Sequence, residues 1–456
     1  MRHLVSFLAI VAVSAPGMAC AAPAARAPMK VCESCVRAHM ETLAGEEMRG
    51  RQCGTKDEAN AARYIEAELK AAGVRGAFSS GAFQQPVRLS TPRLAGEATL
   101  QAGALSWTHG KEFLVMERPQ RATGRLLRVE DPAHPSADLR GAAVFYDSAT
   151  PTPAGRKALF AAGAAVVLQV VPARYVEHWA DLTDQWRETE VGDAPGNPST
   201  ETGAWLVLKP EAAAALKAVP NGTPVRLDAA LGAPELRTTQ NVIGVIHGLA
   251  PDADRRAILL SAHYDHLGVK DGVLFPGADD DASGTAAVME FARMLGQGKP
   301  ARTVYFALFG CEEEGGLGAT YFRAHPPTAL ADLSANLEFE MIGLRDPKHP
   351  DELMLTGWER SNLGPTLAAH GARIGPDPYP EENFFQRSDN YQLALKGVVA
   401  QTVGGWPNPP LYHRPTDTLA NVDIHFMAEV IQSMAEPVRW LVDGDFTPEW
   451  NPGQKP

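Results

Sequence analysis

The first clear periodicity along the chain is helical. Thr55-Lys56-Asp57-Glu58 has the form of a capping box, Ala61, Ile65, Leu69 and Ala72 share one face, and Gly73 stands where a helix stops. From about residue 90 the pattern changes to short apolar runs broken by Pro and Gly. Residues 126–129, 142–146 and 164–171 predict strands, and residues 155–162 a helix. The stretch 91–237, closed by Gly232-Ala233-Pro234, reads as a β-rich domain inserted into a larger one made of residues 28–90 and 238–445. After Asn241 strands and helices alternate. Apolar runs at 256–262, 302–309 and 335–342 predict buried strands, while Ala287, Val288, Phe291, Ala292 and Leu295 mark a helix over 285–295. This alternation predicts an α/β fold, a mixed and largely parallel sheet flanked by helices.

The net charge of -12, with no basic stretch to offset it, argues against a nucleic-acid partner. The start of the chain reads as an export signal over residues 1–22. Met1-Arg2-His3 is the positive end, residues 4–13 are an apolar run, and small residues follow at 19–22. The run is shorter than the ~18 apolar residues of a transmembrane span. Export places the protein in the periplasm or outside the cell. Cys20 raises a lipid anchor, but Gly17-Met18-Ala19 lacks the usual leucine, so a cleaved signal is the preferred reading. In an oxidising compartment Cys53 is expected to pair with Cys32 or Cys35, and Cys311 to be a small core residue.

Chemistry gathers where predicted strands end, the place where open α/β sheets build their sites. Residues 256–262 run into His263-Tyr264-Asp265-His266. Gly277-Ala278-Asp279-Asp280-Asp281 sets three adjacent carboxylates before a helix; one would serve as a cap, and the mutual repulsion of three calls for a cation. Glu312-Glu313-Glu314 follow the next strand among glycines. Glu338 and Glu340 interrupt a buried run, where an unpaired carboxylate is costly. Tyr412-His413 supplies a further histidine. His266 and His425 read as ordinary surface or core histidines.

Taken together, these motifs resemble the M28 family of metallopeptidases, the zinc aminopeptidases and related carboxypeptidases. The resemblance rests on residues 262–268, 277–284, 336–343, Glu312-Glu313 with Gly315 and Gly318, Tyr412-His413, and Gly50-Arg51 ahead of the first helix. Residues 138–144 and 161–167 give the insert a looser likeness to a protease-associated (PA) domain. The resemblance implies two Zn2+ ions held by His263, Asp280, Glu313, Glu340 and His413, with Asp280 shared. Glu340 stands where aminopeptidases usually have aspartate, and its extra methylene must be absorbed locally. Glu312 falls on the general base, Asp265 on the partner of His263, and Tyr412 on a donor to the developing oxyanion. A cis peptide between Asp280 and Asp281 is implied too. Arg387-Ser388-Asp389-Asn390 matches a segment near the site, with Asp389 in a supporting role.

The implied activity is release of N-terminal residues from peptides. A dipeptidase or carboxypeptidase, or one-zinc glutaminyl cyclisation, would use the same fold. A non-catalytic, receptor-like protein is the alternative from another class, and the full ligand set together with Glu312 speaks against it.

Overall fold

The computed structural model describes residues 27–456 except 136–137, 148–152, 178, 181, 184–185, 193–202 and 407–410. The export signal over 1–22 and Cys20 therefore lie outside the described residues. Two large sheets organise the described residues, beside a two-stranded ribbon of Gly268–Lys270 and Val273–Phe275. The larger has ten strands, and four of them form a parallel centre in the order Val399–Gly404, Leu333–Glu340, Ala257–His263, Val304–Phe309. The strands outside this centre join it antiparallel: Glu235–Ile246 on one side and Leu353–Leu355 on the other. The sheet is thus parallel where the site lies, with an antiparallel join on either side of that centre.

Strands Ala257–His263 and Val304–Phe309 are buried along their whole length, which explains their nearly continuous apolar runs in place of alternation. Helix Gly284–Gly296, buried at nearly every position, and helix Ile424–Asp443 cover one face together with helix Lys56–Ala71. Thr55 caps the last of these by accepting the Glu58 amide at 3.3 Å. The Glu58 carboxylate does not close the box. It turns inward and accepts from the Gly54 amide at 2.7 Å and the Thr239 hydroxyl at 2.5 Å. Burial, with the nearby Asp265 charge, holds its pKa well above the usual carboxylate range.

Strand Gln84–Thr91 leads out of the larger sheet and Glu235–Ile246 leads back, the two pairing antiparallel. Between them, eight strands lying within residues 99–228 form the second sheet, with its own apolar cluster around Phe113, Phe145, Leu168 and Leu206. One piece of this intervening segment leaves that sheet: Glu190–Val191 pairs with Gln84–Thr91 and becomes the edge of the larger one. Among the described residues no helix is long and apolar enough to cross a membrane.

The cysteines pair otherwise than the sequence reading expects. Cys32 joins Cys35, and Cys53 joins Cys311 across 258 residues of sequence. Cys32 and Cys35 lie at the start of helix Glu33–Leu43, one helical turn apart. Cys311, expected to be a free core residue, is fully buried and is the partner that brings the Glu312 turn against the chain before helix Lys56–Ala71.

Candidate metal centre

The four parallel strands deliver their chemistry at their C-terminal ends, as open α/β sheets do. His263 closes strand Ala257–His263, Glu340 closes strand Leu333–Glu340, and Glu312-Glu313 follow strand Val304–Phe309 after two residues. Tyr412-His413 lie beyond strand Val399–Gly404, and Asp280 sits in the segment Ala278–Ser283 that feeds helix Gly284–Gly296. The Asp280–Asp281 peptide is cis, the isomer that the resemblance implies. Cys311, Met341 and His413 all have positive φ, at 58°, 54° and 54°, so left-handed backbone marks three of these loops.

Two groups of donor atoms come together, each within 4.8 Å: His263, Asp280 and Glu340, and His266, Asp280 and Glu313. His263 Nε2 lies 3.2 Å from Asp280 Oδ1. His413 Nε2 lies 3.3 Å from Asp280 Oδ2 and 2.9 Å from Glu313 Oε2. The five residues expected from the sequence therefore converge around Asp280, and a sixth joins them. His266, read from the sequence as an ordinary histidine, is 1% exposed with Nδ1 2.6 Å from Glu313 Oε1. Its position three residues after His263 on the same loop is the signal that could have found it. The ring seats against Gly277, where a Cβ would approach it to 2.4 Å, so that position admits only glycine.

A cation fits this set on two physical grounds. His263 Nε2, His413 Nε2, Asp280 Oδ2 and Glu313 Oε1 are buried, face one another and have no hydrogen-bond partner; unsatisfied buried groups of this kind are rare without a ligand. Protons also stand in for cations. Burial would lower the His413 pKa, yet the adjacent Asp280 and Glu313 carboxylates outweigh it and hold it at about 9. Burial would likewise raise Asp280, but His263 and His413 pull it well below the usual range. Imidazole nitrogen and carboxylate oxygen are the donors zinc takes.

The supporting residues explain how three adjacent aspartates coexist. Asp279 Oδ1 accepts the Gly343 amide at 2.7 Å, and Asp281 Oδ1 accepts the amides of Gly284 and Met341 at 2.8 and 3.1 Å. Backbone donors thus hold one oxygen of each flanking carboxylate, whereas both oxygens of Asp280 face the histidines of the centre. Asp417 in turn accepts the amides of Asp279 and Asp280 at 2.8 and 3.1 Å. Arg51, fully buried, donates to the carbonyls of Leu43, Tyr264, Pro276 and Gly277, tying the His263 loop to the Asp280 loop.

Asp265 lies at Nδ1 of His263, with its backbone nearer than its carboxylate. Its backbone carbonyl lies 3.3 Å from His263 Nδ1 and its carboxylate 3.7 Å. A proton on Nδ1 directed to that carbonyl leaves Nε2 free as a donor to a metal. The carboxylate accepts the amides of Glu312 and Glu313 at 2.9 and 3.4 Å, and so orients the turn that carries both. Glu312 belongs to neither donor group, and burial lifts its pKa well above 4.5. Tyr412 stacks on His413 with ring centroids 3.7 Å apart; burial and the surrounding carboxylates keep its phenol protonated. Glu338 and Asp389 are fully buried behind the site, with burial raising both and Asp389 reaching about 8. His425 lies at the surface beside Glu33, 3.2 Å away.

This architecture is that of the zinc aminopeptidase fold. The aminopeptidase of Aneurinibacillus sp. strain AM-1 superposes with a TM-score of 0.61 at 20% identity, over 92% of this chain and 98% of that one. A zinc aminopeptidase from Bacillus subtilis does so with a TM-score of 0.54 at 19% identity, over 92% and 97%. In sequence, residues 241–438 match the model of Peptidase family M28. Aminopeptidase YwaD of Bacillus subtilis (strain 168) is 27% identical over 54% of this chain and 51% of its own length. A probable zinc metalloprotease of Leptosphaeria maculans is 26% identical over 46% and 43%. The chain thus spans about half the length of these curated relatives.

Proposed function

We propose that this protein is an exported dinuclear zinc exopeptidase that removes N-terminal residues from peptides. The observation that carries the reading is a pair of donor groups sharing Asp280, whose inward-facing atoms have no other partner. His263 and Glu340 would complete one zinc, Glu313 and His413 the other. Bound there, the zinc ions supply Lewis acidity for the scissile carbonyl and for the attacking water. Glu312 accepts the proton of that water and returns it to the leaving amine. The neutral Tyr412 phenol donates to the carbonyl oxygen as charge develops on it. His266 lies beside the Glu313 oxygen that does not face His413.

The side chain of the N-terminal residue would enter at a small pocket beside Glu340, lined by Met341, Met354, Phe384, Trp406 and Tyr412 together with Thr356 and Thr402. These walls suit an apolar side chain, and the crowd of carboxylates next to them attracts a free ammonium. A carboxypeptidase or dipeptidase reading is favoured by one feature only, Arg387 at the same pocket, and that guanidinium is already paired with Glu382 at 3.0 Å. Residues 91–237 are assigned to a PA-like domain and residues 1–22 to a signal peptide, consistent with disulfides in an exported chain.

A panel of short peptides tests the reading. Peptides with a free N-terminus and an apolar first residue are expected to be cut, and acetylating that end to abolish cleavage. Amidation of the C-terminus should change little; if it abolishes cleavage and acetylation does not, the carboxypeptidase reading replaces this one.

The two histidines beside Glu313 separate by metal content. His413→Ala is expected to leave about one zinc per chain, because it removes one of the non-bridging ligands of its ion. His266→Ala is expected to retain both ions and lose roughly 10-fold in activity, the scale of a partner that orients a ligand. Elemental analysis of the two variants checks this, and the reverse pattern would exchange the two assignments.

A further inference from the structure

The Cys53–Cys311 disulfide meets the chain at a sensitive place. Cys311 is fully buried, has φ 58°, and immediately precedes Glu312. Beyond Glu312 the turn passes through Glu314 and Gly315, both exposed, and its two glycines at 315 and 316 have φ of 100° and 67°. On that outer side, backbone bonds from the amides of Gly315 and Gly316 to the Glu312 carbonyl, each 2.8 Å, close the turn. Such a turn has little rigidity of its own. Its anchors lie elsewhere: the Asp265 carboxylate under the Glu312 and Glu313 amides, the Arg237 guanidinium gripping both Glu314 oxygens at 2.6 Å, and the disulfide.

The other end of the crosslink reaches the remaining loops of the site. Arg237 also donates to the Cys53 carbonyl at 3.3 Å, so one guanidinium spans both sides of the disulfide. Two residues before Cys53, Arg51 binds carbonyls of the His263 and Asp280 loops, and Gln52 forms a β-bridge to His266. The disulfide is therefore the one covalent tie among described residues between the Glu312 turn and the segment that braces the other two loops.

We infer that Cys53 and Cys311 are positioning residues for catalysis, their disulfide holding the Glu312 carboxylate in register with the His263 and Asp280 loops. The inference rests on the peptidase reading with Glu312 as base. It follows that the oxidised chain is the competent catalyst, and that an uncrosslinked chain binds its metals but turns over slowly.

The experiment compares zinc-loaded wild type, the same enzyme reduced by a water-soluble trialkylphosphine, and the Cys53→Ala/Cys311→Ala variant. The phosphine is oxidised to its oxide with the oxygen of water; the two electrons cleave the S–S bond and the two protons of water complete the thiols. Using a phosphine avoids a thiol reductant that would chelate zinc. Cys32→Ala/Cys35→Ala controls for the other disulfide. The inference expects kcat to fall roughly 10- to 100-fold, the scale of a small misplacement of a catalytic group. KM and zinc content should stay near wild type, and the Cys32/Cys35 control should remain fully active. A kcat within about twofold of the oxidised enzyme, or a fall that merely tracks loss of zinc, overturns the inference. Should the double variant fail to fold, the reduced holoenzyme decides by the same readouts. An oxidised wild type that hydrolyses no peptide sinks the peptidase reading and the inference with it, whereas an active one indifferent to the crosslink sinks the inference alone.

Discussion

Glu312→Gln is expected to slow peptide turnover by about 10²- to 10⁴-fold, the range for loss of a positioned general base, while zinc content stays unchanged. The substitution keeps shape and volume and removes only the ability to take a proton. Glu312 stands outside both donor groups, so no ligand atom is lost. Its amide remains anchored on Asp265, so the turn keeps its place. KM should move little, because the loss falls on the transition state rather than on the bound peptide. Steady-state kinetics with elemental analysis on the same sample checks this. A variant with near-normal kcat would move the base to another residue.

Asp280→Ala is expected to have a larger effect, removing both metals together and taking activity to background. Asp280 is the one residue common to the two donor groups, with Oδ1 toward His263 and Oδ2 toward His413. The fold around it should survive, since Asp279, Asp281 and Asp417 hold the loop through backbone amides that do not involve the Asp280 side chain. The melting temperature should fall to that of the metal-free parent, because the stabilisation from binding disappears with the site. By contrast, Glu340→Ala should empty the His263 side only. If Asp280→Ala retained one zinc per chain with measurable turnover, the shared-ligand arrangement would be wrong.

Much of this site was legible because its residues sit where strands stop. The central strands are mostly apolar and almost wholly buried, so a charged or imidazole side chain at a strand's end stands out, as His263 and Glu340 do. What escaped depends on contacts remote in sequence. Whether Cys53 meets Cys32 or Cys311 is decided by how strand Val304–Phe309 lies beside Glu235–Ile246, which no local pattern encodes. Asp417 and Arg51 act on backbone amides and carbonyls of other loops, and such partners leave no trace in residue spacing. How Asp279 and Asp281 sit beside Asp280 escaped for the same reason: amides of a loop about sixty residues away hold one oxygen of each. His266 was visible in the sequence but discounted, since nothing in the linear order shows that its ring turns inward toward Glu313.

The most direct test of the central claim is elemental analysis of purified, zinc-equilibrated protein, paired with activity before and after removal of metal by a chelator. Two zinc ions per chain are expected, with activity lost on chelation and restored by zinc. Full peptidase activity in protein stripped of metal would contradict the account.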